Sequence, residues 1–182
     1  MPADQNDVTD ECEPLFNAIM GEAEDLLGPR TQILPVRIRT SNEPIPYSWF
    51  EGDAAYIRFG AGVGPGANLA PDQLRQLRHQ LALETVHVLS VPPGAPVTAL
   101  EKGAAAYFSV HIGGYTPQES NAPGPYIEAY NAVKELLDQH DAGAIKALRN
   151  PLCSINRITA AAIRQRYPNC PEDLIRRLTR EW

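Results

Sequence analysis

The sequence predicts an α+β fold: a small, early mixed sheet whose edge strand packs on the helix that carries the candidate site, then a mainly helical C-terminal half. Three observations predict it. Two short strand-like runs fall within the first sixty residues, divided by Pro- and Gly-rich stretches. A long run of helical spacing follows them, and nearly everything after it keeps a helical period. With 182 residues, 43% of them apolar, the chain is long enough to bury one real core. We expect a single domain over 1–182, with a core region over 1–110 and a helical subregion over 111–182.

Each element has its own signal. Leu15, Phe16, Ile19, Ala23, Leu26 and Leu27 recur at helical spacing, and Gly28-Pro29 ends that helix. Over Gln32 to Thr40, Val36 and Ile38 alternate with Arg37 and Arg39, which predicts a half-buried strand; Pro35 points to an edge or a bulge. Ala54 to Phe59 reads as a second strand and as the edge, reached through a Pro-rich loop over Glu43 to Phe50. Pro71-Asp72 opens the longest helix, which should run to about Val91 before Pro92, Pro93 and Pro96 break it. Further helices are expected over Val97 to Val110, Pro125 to His140, Ala142 to Leu148, Ser154 to Tyr167 and Pro171 to Trp182.

Composition excludes several function classes. No apolar run is long enough to span a bilayer, and no basic-then-apolar leader opens the sequence, so a soluble cytoplasmic protein is expected. Cys12, Cys153 and Cys170 are few and widely spaced, against a disulfide framework or a Cys-rich metal site. The net charge of −6 hides a gradient. Residues 1–28 hold eight acidic and no Lys or Arg residues, whereas residues 141–182 hold eight basic and four acidic ones. Mutual docking of the two ends, or ordinary solvated helix faces, accounts for this without a function. The Gly-rich loop Gly60 to Gly66 lacks a Gly-Lys-Ser/Thr ending and carries Pro65, so it is not a phosphate cradle. Ser109 and His111 are neighbours with no nucleophile elbow around them.

The informative segment is LALETVHVLS, Leu81 to Ser90, nearly all apolar and therefore buried over most of its circumference. Glu84 and His87 lie three apart within it, on one helical face. A carboxylate in such a run is costly unless something polar faces it. A satisfied core Glu–His or Glu–Lys contact is one reading of this pair. The other starts from Leu83 to His87, the HExxH zinc-protease pattern with its first His replaced by Leu83. That pattern holds zinc with two imidazoles at i and i+4 and uses the intervening Glu to activate water. After the Pro-rich turn comes TALEKGAAAYFS, Thr98 to Ser109.

Together these segments resemble the two metal helices of gluzincin-type zinc metallopeptidases, the minigluzincins in particular. Leu100, Gly103, Ala105, Tyr107 and Phe108 match the second helix. The resemblance covers about Thr31 to Ser109 in detail. It implies a zincin-like fold, and it carries the three metal ligands onto Leu83, His87 and Lys102 and the catalytic base onto Glu84. Leu cannot coordinate, and Lys at neutral pH is an ammonium that repels a dication. The metal site is therefore degenerate, and no zinc or other cofactor is expected. A substitution scheme follows, in which the Lys102 ammonium takes part of the metal's space and pairs with Glu84 near His87. An unusual metal set of Glu84 and His87 with Glu101 or His111 is the alternative, although Glu101 should point about 100° away from the ligand position.

The function expected is a catalytically inactive, metallopeptidase-like module that binds a protein or peptide. Tyr47, Trp49, Phe50, Tyr56, Arg58 and Tyr107 are the candidate contacts around the former cleft. One alternative is a hydrolase using Glu84 and His87 with a non-standard metal site. Another is a nucleic-acid-binding protein acting through Arg164, Arg166, Arg176, Arg177 and Arg180, which the net charge disfavours. No membrane partner is expected, and nucleic acid is not the expected one.

Overall fold

The computed structural model describes residues 6–66, 68–90, 96–116, 124–149 and 154–182. Helix α1 spans Thr9–Leu27, and strands β1 (Val36–Arg39), β2 (Tyr47–Glu51) and β3 (Ala54–Arg58) follow. Then come helices α2 (Pro71–Leu89), α3 (Ala99–Gly113), α4 (Gly124–Gln139) and α5 (Ala144–Leu148). A 3₁₀ turn at Ile155–Arg157 precedes α6 (Ala160–Arg166) and α7 (Glu172–Thr179). The fold is α+β, with a small mixed sheet early and a mostly helical second half. Among the described residues, no helix is long and apolar enough to cross a membrane.

The sheet has the order β1-β3-β2. Strand β3 runs parallel to β1, with Arg37 opposite Tyr56, and antiparallel to β2, with Tyr47 opposite Arg58 and Trp49 opposite Tyr56. The β2–β3 hairpin closes over Gly52-Asp53, and Gly52 has φ +63°, the positive value that the twist-compatible two-residue turns demand. Side chains alternate across the sheet. Ile38, Ala55 and Ile57 are buried against the helices, and Arg37, Arg39, Tyr47, Trp49, Tyr56 and Arg58 stand on the opposite face. The outer side of β1 is covered by the N-terminal segment, through Val8 N–H to the Ile38 carbonyl (2.9 Å) and Thr40 N–H to the Asn6 carbonyl (3.0 Å). No described residue pairs with the outer side of β2.

One apolar cluster runs from Cys12 in α1 to Leu178 in α7, through the inner sheet face and helices α2 to α4. Helix α2 packs along α1 and α3 and touches β2 and β3, while α3 packs along α4. The α3–α4 crossing is close because of Gly103. A Cβ there would stand 2.3 Å from the Ala129 carbonyl oxygen and 2.7 Å from Val133 Cγ2. The chain end returns to the start of α3, where Ala99 N–H meets the Arg180 carbonyl (2.9 Å) and Trp182 N–H the Val97 carbonyl (2.8 Å).

Several expectations need correction. Ala54 to Phe59 is not the edge: β3 is the central strand, and the open edge is β2. Tyr47, Trp49 and Phe50 lie in that strand and not in a loop. The strand over Gln32 to Thr40 shrinks to four residues, because pairing with β3 engages only Val36–Arg39. The helix over Val97 to Val110 continues to Gly113, and Gly114 caps it. The helix over Ser154 to Tyr167 splits, because Thr159 takes an extended conformation and its side chain accepts from Ala162 N–H, which starts a new helix there. Cys12 and Cys170 are free and buried. Val91, Pro92, Pro93 and Cys153 lie outside the described residues.

Candidate functional site

The last turn of α2 and the first turn of α3 meet, and this contact assembles the site. Helix α2 brings Leu83, Glu84 and His87. Leu83 is half-buried against the core, Glu84 is 3% exposed and the His87 side chain is 12% exposed. Helix α3 starts at the cap Thr98, whose hydroxyl accepts from Glu101 N–H. The Thr98 N–H is already held by Asn156 Oδ1 at 3.2 Å, so the Glu101 carboxylate is not drawn back to complete a capping box. It turns to α2 instead, and Glu101 Oε1 lies 2.5 Å from His87 Nδ1.

Lys102, the next residue, reaches the other side of the same imidazole, with Nζ 3.2 Å from His87 Nε2. An ammonium only donates, so Nε2 accepts, and the ring proton sits on Nδ1 and is donated to Glu101. The result is a relay of ammonium, neutral imidazole and carboxylate with no net charge. This arrangement offsets the cost of holding the Glu101 side chain at 5% exposure. Glu101 Oε2 is buried and has no hydrogen-bond partner among the described residues. Lys102 Nζ also lies 5.7 Å from the centre of the Tyr126 ring, whose edge meets Trp182 at a centroid distance of 4.9 Å. Tyr126, Trp182, Pro125, Arg180 and Glu181 line an open surface depression of about 510 Å³.

The expected pair of Lys102 with Glu84 is not formed. Glu84 makes no hydrogen bond or ion pair with any described residue, and Lys102 is engaged with His87 and Tyr126. Glu101 does not point away from the site, as its position beside the ligand residue had suggested. The residues that the family pattern would use for zinc do not fit a metal. Leu83 has no lone pair, Lys102 presents an ammonium to His87 Nε2, and Nδ1 is taken by Glu101. Among the described residues, no three His, Cys, Asp or Glu side chains converge as a metal site requires. His111 is exposed on α3. His79 is occupied elsewhere: its Nδ1–H donates to the Ser109 carbonyl (3.1 Å), and burial pushes its pKa below the usual imidazole value, against the raising effect of that bond.

No family model, curated protein or solved structure matches this chain. Its own geometry is what bears on function.

The remaining candidates separate into two groups. Tyr47, Trp49, Tyr56 and Arg58 come together on the outer face of the sheet. Trp49 stacks on Tyr56 (4.9 Å, 13°) and on Tyr47 (6.1 Å, 10°), and Arg58 and Arg39 lie over Tyr47 and Tyr56 at 5.9 and 5.0 Å. Phe50 points to the opposite face and packs against the core. Tyr107 is not in this group, since its ring lies 5.8 Å from Tyr130, between α3 and α4. Glu101 was expected only as an alternative metal ligand, whereas it is the hydrogen-bond partner of His87. Tyr126 carried no signal in the sequence, because only the α3–α4 crossing brings it beside Lys102.

Proposed function

We propose that this chain is a non-catalytic, metallopeptidase-like module that binds extended peptide segments along the open edge of β2. One observation carries the reading. The two residues onto which the gluzincin pattern places metal ligands, His87 and Lys102, are bonded to each other, with Nζ at 3.2 Å from Nε2. A cation of the chain's own thus stands where that pattern would need a metal, and no polarised water can be made there. The binding half of the reading rests on β2. Its outer backbone groups meet no described residue, and it lies against α2, the helix that carries Glu84 and His87. An exposed edge of this kind takes an added strand through main-chain hydrogen bonds and sorts alternate side chains to its two faces.

The test uses a peptide mixture from casein digestion, passed over immobilised protein with and without added zinc and read by mass spectrometry. Retained peptides should emerge uncut in both conditions. N-methylation of alternate amides in a retained peptide should abolish its retention. Cleavage that disappears in Glu84→Gln would replace this reading with that of a hydrolase.

A further inference from the structure

The outer face beside the β2 edge carries a charge pattern that selects among peptides. Among the described residues Arg58 makes no ion pair, and its buried Nε has no hydrogen-bond partner. Its guanidinium extends from the central strand over the Tyr47 ring on the edge strand, 5.9 Å from the ring centre. Ile45 and Tyr47, at the same end of the edge, are 69% and 55% exposed. Glu51, the acidic residue of β2, sits four residues away from Tyr47, roughly 13 Å along the strand. The edge is therefore cationic and apolar at its Tyr47 end and anionic at its Glu51 end.

Resting on the peptide-binding reading above, we propose that the β2 edge selects extended peptides with an acidic side chain placed opposite Tyr47, where Arg58 receives its carboxylate. A strand added to β2 lies two strand spacings from β3, roughly 10 Å, which is within the combined reach of an arginine and a glutamate side chain. Alternation sends the neighbouring peptide side chains to the other face, toward Phe50 and the core, where apolar groups fit. A peptide suits this surface better than a nucleic acid does. The rings of the ladder stack on one another, and the Arg58 and Arg39 guanidiniums lie over Tyr47 and Tyr56, so a base would have to compete with these contacts to stack.

Fluorescence anisotropy with three fluorescein-labelled hexapeptides, alternating valine with glutamate, serine or lysine, tests the selection. The net charge of −6 by itself favours the lysine peptide, so a preference for glutamate reports the local pattern. The glutamate peptide should bind about threefold tighter than the serine peptide, the size expected of a partly exposed ion pair. Arg58→Gln should erase that difference, and Arg58→Lys should retain part of it. Equal binding of the serine and glutamate peptides, or preference for lysine, overturns the inference and leaves edge binding standing. Failure of all three peptides to bind overturns both. Tighter binding of a twelve-residue oligothymidylate than of the glutamate peptide overturns the inference in favour of a nucleic-acid surface.

Discussion

Glu84 is buried and His79 part-buried on α2, and their settings have opposite consequences. Glu84 is 3% exposed among the apolar residues of α2. Burying a carboxylate costs stability that an apolar side chain of similar size would recover. Glu84→Leu should therefore raise the urea midpoint by the equivalent of about 1 kcal/mol, and a loss of that size would mean that the carboxylate has a structural partner. His79 is neutral by design, since burial lowers its pKa from the usual 6.5 more than the Ser109 carbonyl raises it. Its folded-state value lies below the unfolded one, so the unfolded chain binds the extra proton more readily. The stability it supplies is complete above about pH 6.5 and is lost as the pH falls through the lowered value. Urea titrations between pH 7 and 5 should show this decline, and His79→Gln should flatten it. The burial of Glu84 was legible from its apolar neighbours in LALETVHVLS. The absence of a Glu84–Lys102 pair was not, because Lys102 turns to His87, which no spacing within either helix encodes.

Elements were legible where local signals were strong and not where pairing decides. Helix α2 begins at Pro71 as its first-turn proline requires, and α1 ends at Gly28 as expected. Strand β2 was missed because Pro44 and Pro46 dominate its approach and its five residues carry no clean apolar alternation: Trp49 and Phe50 are both half-buried, on opposite faces. Only its ladder with β3 makes it a strand, and that same ladder moves β3 from the edge to the centre. Gly103 is the residue on which the α3–α4 packing turns. The groups facing it are the Ala129 carbonyl and the Val133 side chain, so an added methyl cannot be absorbed by a flexible chain end. Gly103→Ala would gain helix propensity on an isolated helix but should cost about 2 kcal/mol here, read as a lower urea midpoint with unchanged slope. Because Lys102 precedes Gly103, the same change should also disturb the contact of Lys102 with Tyr126, visible as altered fluorescence from the adjoining Trp182.

Across the whole molecule, the charge gradient resolves into local pairs. The basic C-terminal residues are engaged with nearby carboxylates: Arg164 with Glu172, Arg176 with Asp173, and Arg177 with both Asp173 and Glu135. These contacts leave few free cations on one face for a phosphate backbone to neutralise. The two ends do meet, but through the main chain. Arg149 donates to the carbonyls of Leu27, Gly28 and Pro29, and Lys146 donates to that of Asp25, so basic side chains of α5 and its end cap the C-terminus of the acidic helix. Of the side-chain pairs, Arg177–Glu135 joins two elements that are distant in sequence, α7 and α4, with both partners part-exposed (40% and 36%). Exposure screens such a pair, so its contribution is set by water and salt and not by the 2.6 Å separation. A double-mutant cycle with Glu135→Ala and Arg177→Ala should give a coupling of about 0.5 kcal/mol at low ionic strength and less than half of that in 1 M NaCl. A coupling that survives salt would place the pair in a drier setting and make the α4–α7 contact a fixed part of the core. A coupling that vanishes leaves α7 held by Leu174, Ile175 and Leu178, its buried apolar face, and makes the basic surface a solvated one.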